Sequence, residues 1–277
     1  MKTVVYYFSA TGNSLYVAKY LQAALDDAEL RSIPEELFYG RFDAAADCVG
    51  FVFPMHCMGL PMQVESFMER LTIAGSPYIF AIATCGAPYI GQPFIDAETI
   101  LAAKGQRLCA SWYVRLVSNY LPLGDIPAEW RINIRARLAE RKLKKIAAAV
   151  KDRNPHGTWQ LLRRLCRRIH ENWKEARQTL DEKFRCNTDV CTSCGLCERV
   201  CPTQNITRPD GFPVWQHRCV NCLGCLHICP VKAVDYGEKS KGRRRYRHKT
   251  VMQKELLHDF SGERADAGKP PIGKSAS

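Results

Sequence analysis

No run of apolar residues in the 277-residue sequence approaches the ~20 needed to cross a bilayer, so no membrane span is expected. The opening residues, MKTVVYYFSATGNS, hold one lysine and a short apolar run that a polar, glycine-containing loop interrupts. That layout is not a secretory leader, and a reducing cytoplasm is the expected compartment. The loop lacks the Gly-Lys-Ser/Thr ending of a Walker A motif, and its single glycine rules out the GxGxxG dinucleotide fingerprint. No motif that reads nucleic acid is present. The basic Gly242-Arg243-Arg244-Arg245-Tyr246-Arg247 stretch has too little aromatic interleaving to stack bases, so nucleic acid is not an expected partner.

What is plentiful is cysteine, 14 residues of it, and eight fall in two copies of one pattern. The first copy is Cys191-x2-Cys194-x2-Cys197-x3-Cys201-Pro202, the second Cys219-x2-Cys222-x2-Cys225-x3-Cys229-Pro230. Zinc usually takes two CxxC pairs separated by a longer stretch. Here each copy offers three cysteines in seven residues and a fourth before proline, which is the bacterial run for a pair of [4Fe-4S] clusters. Two-residue spacers let three thiolates wrap one corner of a cubane while the fourth arrives from farther away. Disulfides fit poorly with a reducing compartment. Cys48, Cys57, Cys85, Cys109, Cys166 and Cys186 lie outside the copies and read mostly as small buried hydrophobes.

The rest of the chain is globular in composition, 46% hydrophobic and 25% charged, with room for a further core. Strand-like runs at Thr3–Phe8, Cys48–Phe53, Tyr78–Thr84 and Leu108–Leu116 alternate with helix-like segments around Ser14–Leu25, Gln63–Leu71 and Pro93–Ala103. Alternation of that kind predicts an α/β fold, a parallel sheet covered on both faces. The first strand runs into Ser9-Ala10-Thr11-Gly12-Asn13-Ser14, and an apolar periodicity then begins at Leu15, Ala18 and Leu21. The loop therefore stands at a helix N-terminus, where backbone N–H groups and the helix dipole favour a phosphate. Gly12 permits close backbone approach.

Phe8 through Ser14 resembles the phosphate loop of flavodoxins, which binds the FMN phosphate without basic residues. The resemblance implies a doubly wound, flavodoxin-like sheet with its cofactor at the carboxyl ends of the strands. The isoalloxazine ring would then lie between the loop from Pro54, Met55, His56 and Cys57 to Pro61 and the loop from Thr84, Cys85 and Gly86 to Gly91. Many relatives carry an aromatic where His56 stands, which leaves Tyr89 as the candidate for ring contact.

The eight clustered cysteines resemble those of bacterial two-cluster ferredoxins, small α+β proteins in which the fourth ligand is crossed. That resemblance implies Cys191, Cys194 and Cys197 with Cys229 around the first cluster, and Cys219, Cys222 and Cys225 with Cys201 around the second. The whole chain resembles the flavodoxin–ferredoxin fusion proteins often labelled EFR-type ferredoxins, over about residues 1–125 and 186–250. Val117-Ser118-Asn119-Tyr120 and Arg245-Tyr246 are smaller marks of it. The expected organisation is an FMN domain over 1–127, a helical connector over 128–185, a two-[4Fe-4S] domain over 186–240 and a basic tail over 241–277 whose end is expected to be disordered.

Charge is localised. Residues 131–185 hold 17 Lys/Arg against 6 Asp/Glu, whereas 1–130 hold 8 against 13. In the basic segment, apolar residues recur at helical spacing: Ile134, Leu138, Ile146 and Val150, then Leu162, Leu165, Ile169, Trp173 and Leu180. Two amphipathic helices are predicted, the second long, with apolar stripes inward and basic faces outward. Such a face is either simply solvated or a docking surface for an acidic redox partner. The expected function is electron transfer between FMN, two [4Fe-4S] clusters and a partner protein, with no catalytic residue assigned. The alternatives are a flavin-dependent reductase of a small substrate, for which His56, Cys57 and Cys85 offer no convincing acid, and a cluster-based sensor.

Overall fold

The structure is a computed structural model that describes residues 1–88 and 90–262; Tyr89, the expected ring contact, and 263–277, the end of the expected tail, lie outside the described residues. Five strands build the main sheet: β1 (Thr3–Tyr7), β2 (Ala28–Ser32), β4 (Cys48–Pro54), β6 (Tyr78–Cys85) and β7 (Leu108–Arg115). Their order is β2-β1-β4-β6-β7 and every pairing is parallel. Counted over these five alone, that is the flavodoxin-like 2-1-3-4-5 order, whose switch point lies between β1 and β4. Two-residue strands β3 (Asp43–Ala44) and β5 (Thr72–Ile73) pair beside it.

The central strands are buried on both faces, as a continuous apolar run such as Tyr78-Ile79-Phe80-Ala81-Ile82-Ala83 requires. One face packs against α3 (Met62–Arg70) and α4 (Pro93–Ala102), and α2 (Ile33–Tyr39) lies beside α3. The other packs against α1 (Asn13–Ala24) and α5 (Glu129–Lys151) through Val17, Leu21, Leu143, Ile146 and Val150. The four strands and three helices expected from the sequence are present within a residue or so at each end. β2 and α2 were not foreseen. β2 is a polar edge strand, Ala-Glu-Leu-Arg-Ser, and α2 has only seven residues, so neither builds a clear period.

The basic connector departs from its expected register. In α5 the inward residues are Ala139, Leu143, Ile146, Ala147 and Val150, while Ile134 and Leu138 are about half exposed. The second helix, α6 (Arg163–Glu175), is shorter than expected and passes into a 3-10 turn at Ala176–Thr179. Its buried side chains are Cys166 and His170, with Trp173 half-buried, and Leu162, Leu165 and Ile169 face solvent instead. The swap has a visible cause. His170 Nδ1 donates to the Cys57 carbonyl at 3.2 Å, Lys174 pairs with Glu65 at 2.6 Å, and a Cβ on Gly59 would stand 2.5 Å from the His170 ring. Only glycine at 59 lets this helix lie so close.

The C-terminal third is small and α+β. Antiparallel β8 (Phe184–Cys186) with β11 (Val234–Tyr236), and β9 (Ile206–Thr207) with β10 (Val214–Trp215), frame two short helices, α7 (Leu196–Arg199) and α8 (Gly224–Ile228). Its core residues Val200, Val220, Leu226 and Tyr236 belong to the same buried cluster as Phe53 and Phe67 of the sheet side. The segment expected as a basic tail is packed as far as it is described, burying Tyr246, His248, Val251 and Leu256. Among the described residues no helix is long and apolar enough to cross a membrane.

The register of α5 gives a direct test. Leu143 is fully buried and Leu138 is 57% exposed. Leu143→Ala should lower unfolding stability by about 2–5 kcal/mol in urea titrations followed by circular dichroism, and Leu138→Ala should stay within about 0.5 kcal/mol of the parent. Equal losses would contradict this packing.

Candidate functional site

Each cysteine copy wraps its own cavity in the same backbone form. The residue before the second cysteine (Ser193, Asn221) and the residue after it (Gly195, Leu223) are all left-handed, with φ of 52°, 52°, 74° and 59°. Alternating left- and right-handed residues turn successive N–H groups toward one centre, which suits a sulfur-rich anion. Leu223 adopts this form without being glycine, a strain that persists only where the surroundings over-determine it.

The cavities are lined by the crossed sets. Cys191, Cys194, Cys197 and Cys229 border one, with Arg208 at its wall; Cys201, Cys219, Cys222 and Cys225 border the other, walled by Phe184, Ile206 and Trp215. Among the described residues no three His, Cys, Asp or Glu side chains gather as they would on a single ion. Thiols spread around a void fit a polynuclear cluster, whereas zinc would need four of them within ~2.3 Å of one point. Backbone N–H groups of Asn205, Asn221 and Ala233 donate to Cys201, Cys219 and Cys229 sulfurs, each at 3.2 Å. Burial pushes the Cys197 and Cys222 thiols up to about 11 and about 12, so the thiolate form needs iron to compensate its charge. The two cavities differ in exposure. Cys194 in the first is exposed, while Cys201, Cys219 and Cys225 in the second are buried.

The second cavity faces the carboxyl ends of the sheet. A Cβ on Gly224, at the start of α8, would lie 3.7 Å from the Cβ of Ala10 in the loop after β1. The Asn221 amide donates to the Tyr120 hydroxyl at 3.2 Å. His227 Nε2 donates to the Asn119 carbonyl at 2.8 Å, and its Nδ1 accepts the Tyr246 N–H at 3.1 Å, so both ring nitrogens are committed. Burial depresses the His227 pKa to about 4 and keeps the ring neutral.

Within the Ser9–Ser14 loop every polar side chain is held. Ser9 Oγ accepts the Gly12 N–H at 3.2 Å, and Ser14 bonds Thr84 at 2.8 Å. Asn13 donates to the Val117 carbonyl and accepts from the Tyr246 hydroxyl, and Thr11 Oγ1 accepts from Asn119. Gly12 has φ +95°, and a Cβ there would meet His248 and Val251 at 3.1 Å. The loop is thus fixed in shape, with the N-terminus of the 12-residue α1 behind it.

The other two loops close on each other next to it. Gln92 N–H donates to the Met58 carbonyl at 2.8 Å and Met55 N–H to the Thr84 carbonyl at 2.9 Å. Pro54 and Met55 are half-buried, Thr84 and Cys85 are buried, and Gly86 stands against Ser118. His56 is edge-on to Phe8 on one side and Trp173 on the other. Its Nδ1 is buried without a partner, and burial depresses its pKa to about 4. An orphaned buried nitrogen in this loop fits a polar ring held beside it. His170 was missed as a neighbour of this place, whereas Trp173 was expected on the inward stripe of α6. Cys166 and His170 stand one position on from Leu165 and Ile169, a helical spacing that was legible in principle.

Comparison with known proteins bears on the cysteine module. Two models of the 4Fe-4S binding domain match residues 187–207 and 216–236. Ferredoxin-2 of Chlorobaculum tepidum is 35% identical over 54 residues, 17% of this chain and 87% of that one. A ferredoxin of Pyrobaculum islandicum is 32% identical over 56 residues, 19% of this chain and 51% of that one, so the chain spans about half of it. Among solved structures, a Streptococcus pneumoniae flavodoxin overlays with a TM-score of 0.32 at 15% identity, covering 54% of this chain and 99% of that one. With two consecutive cluster-binding repeats matched and nearly all of a bacterial ferredoxin covered, the chain belongs to the ferredoxin family, its two-[4Fe-4S] module carried on a flavodoxin-like sheet.

Proposed function

We propose that the protein is an intramolecular electron conduit in which FMN on the sheet exchanges electrons with the two clusters, and the clusters with a redox partner. The observation that carries this reading is the placement of the second cysteine cavity against the loop after β1, through α8 and Ala10. Cys191, Cys194, Cys197 and Cys229 hold the first cluster, and Cys201, Cys219, Cys222 and Cys225 the second. Ser9, Ala10, Thr11, Gly12, Asn13 and Ser14 receive the flavin phosphate. Pro54, Met55, His56, Thr84, Cys85 and Gly86 border the ring. A flavin takes two electrons and releases them singly, while each cluster carries one, so the pair couples two-electron to one-electron chemistry.

The residues supply position and environment. The phosphate loop, pinned by Asn119, Tyr246 and His248, offers a rigid helix N-terminus that needs no reorganisation on binding. His56, half-buried with its Nδ1 buried and unpartnered, offers a hydrogen bond to the ring, and the depressed pKa that burial gives it keeps the imidazole neutral. Exposure orders the clusters: the buried second stands beside the flavin and the first, with Cys194 exposed, faces outward. Residues 131–185, with a net charge of +11, steer an acidic partner by their long-range field. The solvent-facing Leu162 and Leu165 among Arg163, Arg164 and Arg168 provide an apolar centre with a basic rim for it.

Anaerobically reconstituted protein should carry about eight iron and eight sulfide per chain. The crossed sets predict how variants group. Cys194→Ala and Cys229→Ala should spare one cluster, Cys222→Ala and Cys201→Ala the other, and the two groups should differ in the electron paramagnetic resonance of the survivor. Zinc without sulfide, or a grouping of Cys229 with Cys222, would contradict the assignment. For the partner, the rate of electron delivery to an acidic acceptor should drop several-fold between low salt and about 0.1 M, where exposed charges are screened beyond ~10 Å. Arg164→Glu with Arg168→Glu should flatten that salt dependence while iron content stays intact; a flat parental profile would leave the basic face as solvated surface.

A further inference from the structure

Behind the phosphate loop lies a cavity of about 270 Å3 whose walls come from three parts of the chain: Ala10 and Thr11 of the loop, His227 to Pro230 with Lys232 around the second cysteine copy, and Arg245 to Arg247 with Gln253 and Leu256 of the C-terminal segment. Three cations, Lys232, Arg245 and Arg247, line it, and no aspartate or glutamate does. His227 also lines it but is neutral, with both nitrogens engaged, and cannot balance them. Asp235 pairs with Arg245 at 2.8 Å from outside the cavity. Even so, the Arg245 side chain is 9% exposed and its Nε is buried with no partner. Lys232 and Arg247 are exposed at the rim. A solvent-open cavity with three cations on its walls beside a helix N-terminus, and one orphaned guanidinium N–H, is arranged for a multiply charged anion.

We infer that this cavity is a phosphate-monoester subsite in which Lys232 of the ferredoxin module and Arg247 of the C-terminal segment complete, from outside, the hold of the Ser9–Ser14 loop on the FMN phosphate. The inference rests on the FMN reading above and adds to it. The loop side chains are uncharged and committed to Val117, Thr84, Tyr246 and Asn119, so any cation that adds to the backbone N–H groups in holding a phosphate dianion comes from outside the loop. Ala10, with no polar atom in its side chain, and Thr11 are the loop positions that open to the cavity, so a phosphate at the loop lies within the field of Lys232 and Arg247. A cavity of this size takes a phosphate and several waters, each water claiming about 30 Å3. The consequence is coupling: flavin affinity depends on the cluster module and the C-terminal segment being folded and docked, because they supply the cations.

The test uses the full chain, reconstituted with iron and sulfide, and measures dissociation constants for FMN and for riboflavin by fluorescence quenching, together with inorganic phosphate by calorimetry. Lys232→Ala with Arg247→Ala should weaken FMN at least about tenfold, since each hydrogen bond to a charged group contributes on the order of that factor, and should leave riboflavin within twofold. The salt dependence of FMN binding should flatten in the variant, while unchanged iron content reports an intact module. Parental binding of FMN with no change in the variant, or equal losses for FMN and riboflavin, would overturn the subsite. Should the parent bind no flavin, the FMN reading fails separately. Phosphate binding that the double variant abolishes would then still uphold an anion site, and no phosphate binding would overturn it as well.

Discussion

The seating of a short helix, Gly224–Ile228, on the loop that ends the first strand is the contact on which the rest of the arrangement depends. Its first residue lies against Ala10, its last turn hydrogen-bonds Asn119 through His227, and its Cys225 borders the second cysteine cavity. One helix therefore binds the sheet, shapes a cluster pocket and sets the spacing between the two. Tyr246 strengthens the joint by touching both sides, donating its N–H to His227 and its hydroxyl to Asn13. Every polar group in this joint that is neutral and paired adds rigidity at no charge-burial cost, which is why its histidine is held uncharged.

That rigidity explains the contrast between the cysteine pockets. The second, walled by Phe184, Ile206 and Trp215, is apolar, and three of its four cysteines are buried. The first is edged by Arg208, whose guanidinium bonds Glu198 and the Ser193 carbonyl, and it keeps Cys194 at the surface. Solvent access, nearby charge and N–H donors to sulfur are the levers by which a protein sets cluster potentials, so two clusters with the same ligands are expected to differ in potential here. The inner one sees an apolar wall and the outer one a cation and water.

Much of this was legible in the chain. Short apolar runs located the four long strands, because parallel strands covered on both faces leave an unmistakable apolar block. The cysteine spacing announced the clusters because cubane geometry admits few alternatives. The edge strand Ala28–Ser32 was hidden by its polarity. The inward face of α6 was misjudged because leucines were preferred to Cys166 and His170 as core residues, whereas the true anchor is a polar histidine fitted against Gly59 and the Cys57 carbonyl. Nor could composition reveal that the basic segment after residue 241 packs over the loop that follows β1: Tyr246, His248 and Val251 are too few and too scattered to show a period.

The most direct measurement of the central claim is the kinetics of cluster reduction after a laser flash reduces the flavin in the anaerobic, fully reconstituted chain. A docked module predicts a single first-order phase whose rate constant is unchanged over a hundredfold range of protein concentration and between low and high salt. A rate that rises in proportion to concentration, or collapses with salt, would mean that flavin and clusters meet only by diffusion and would contradict the account.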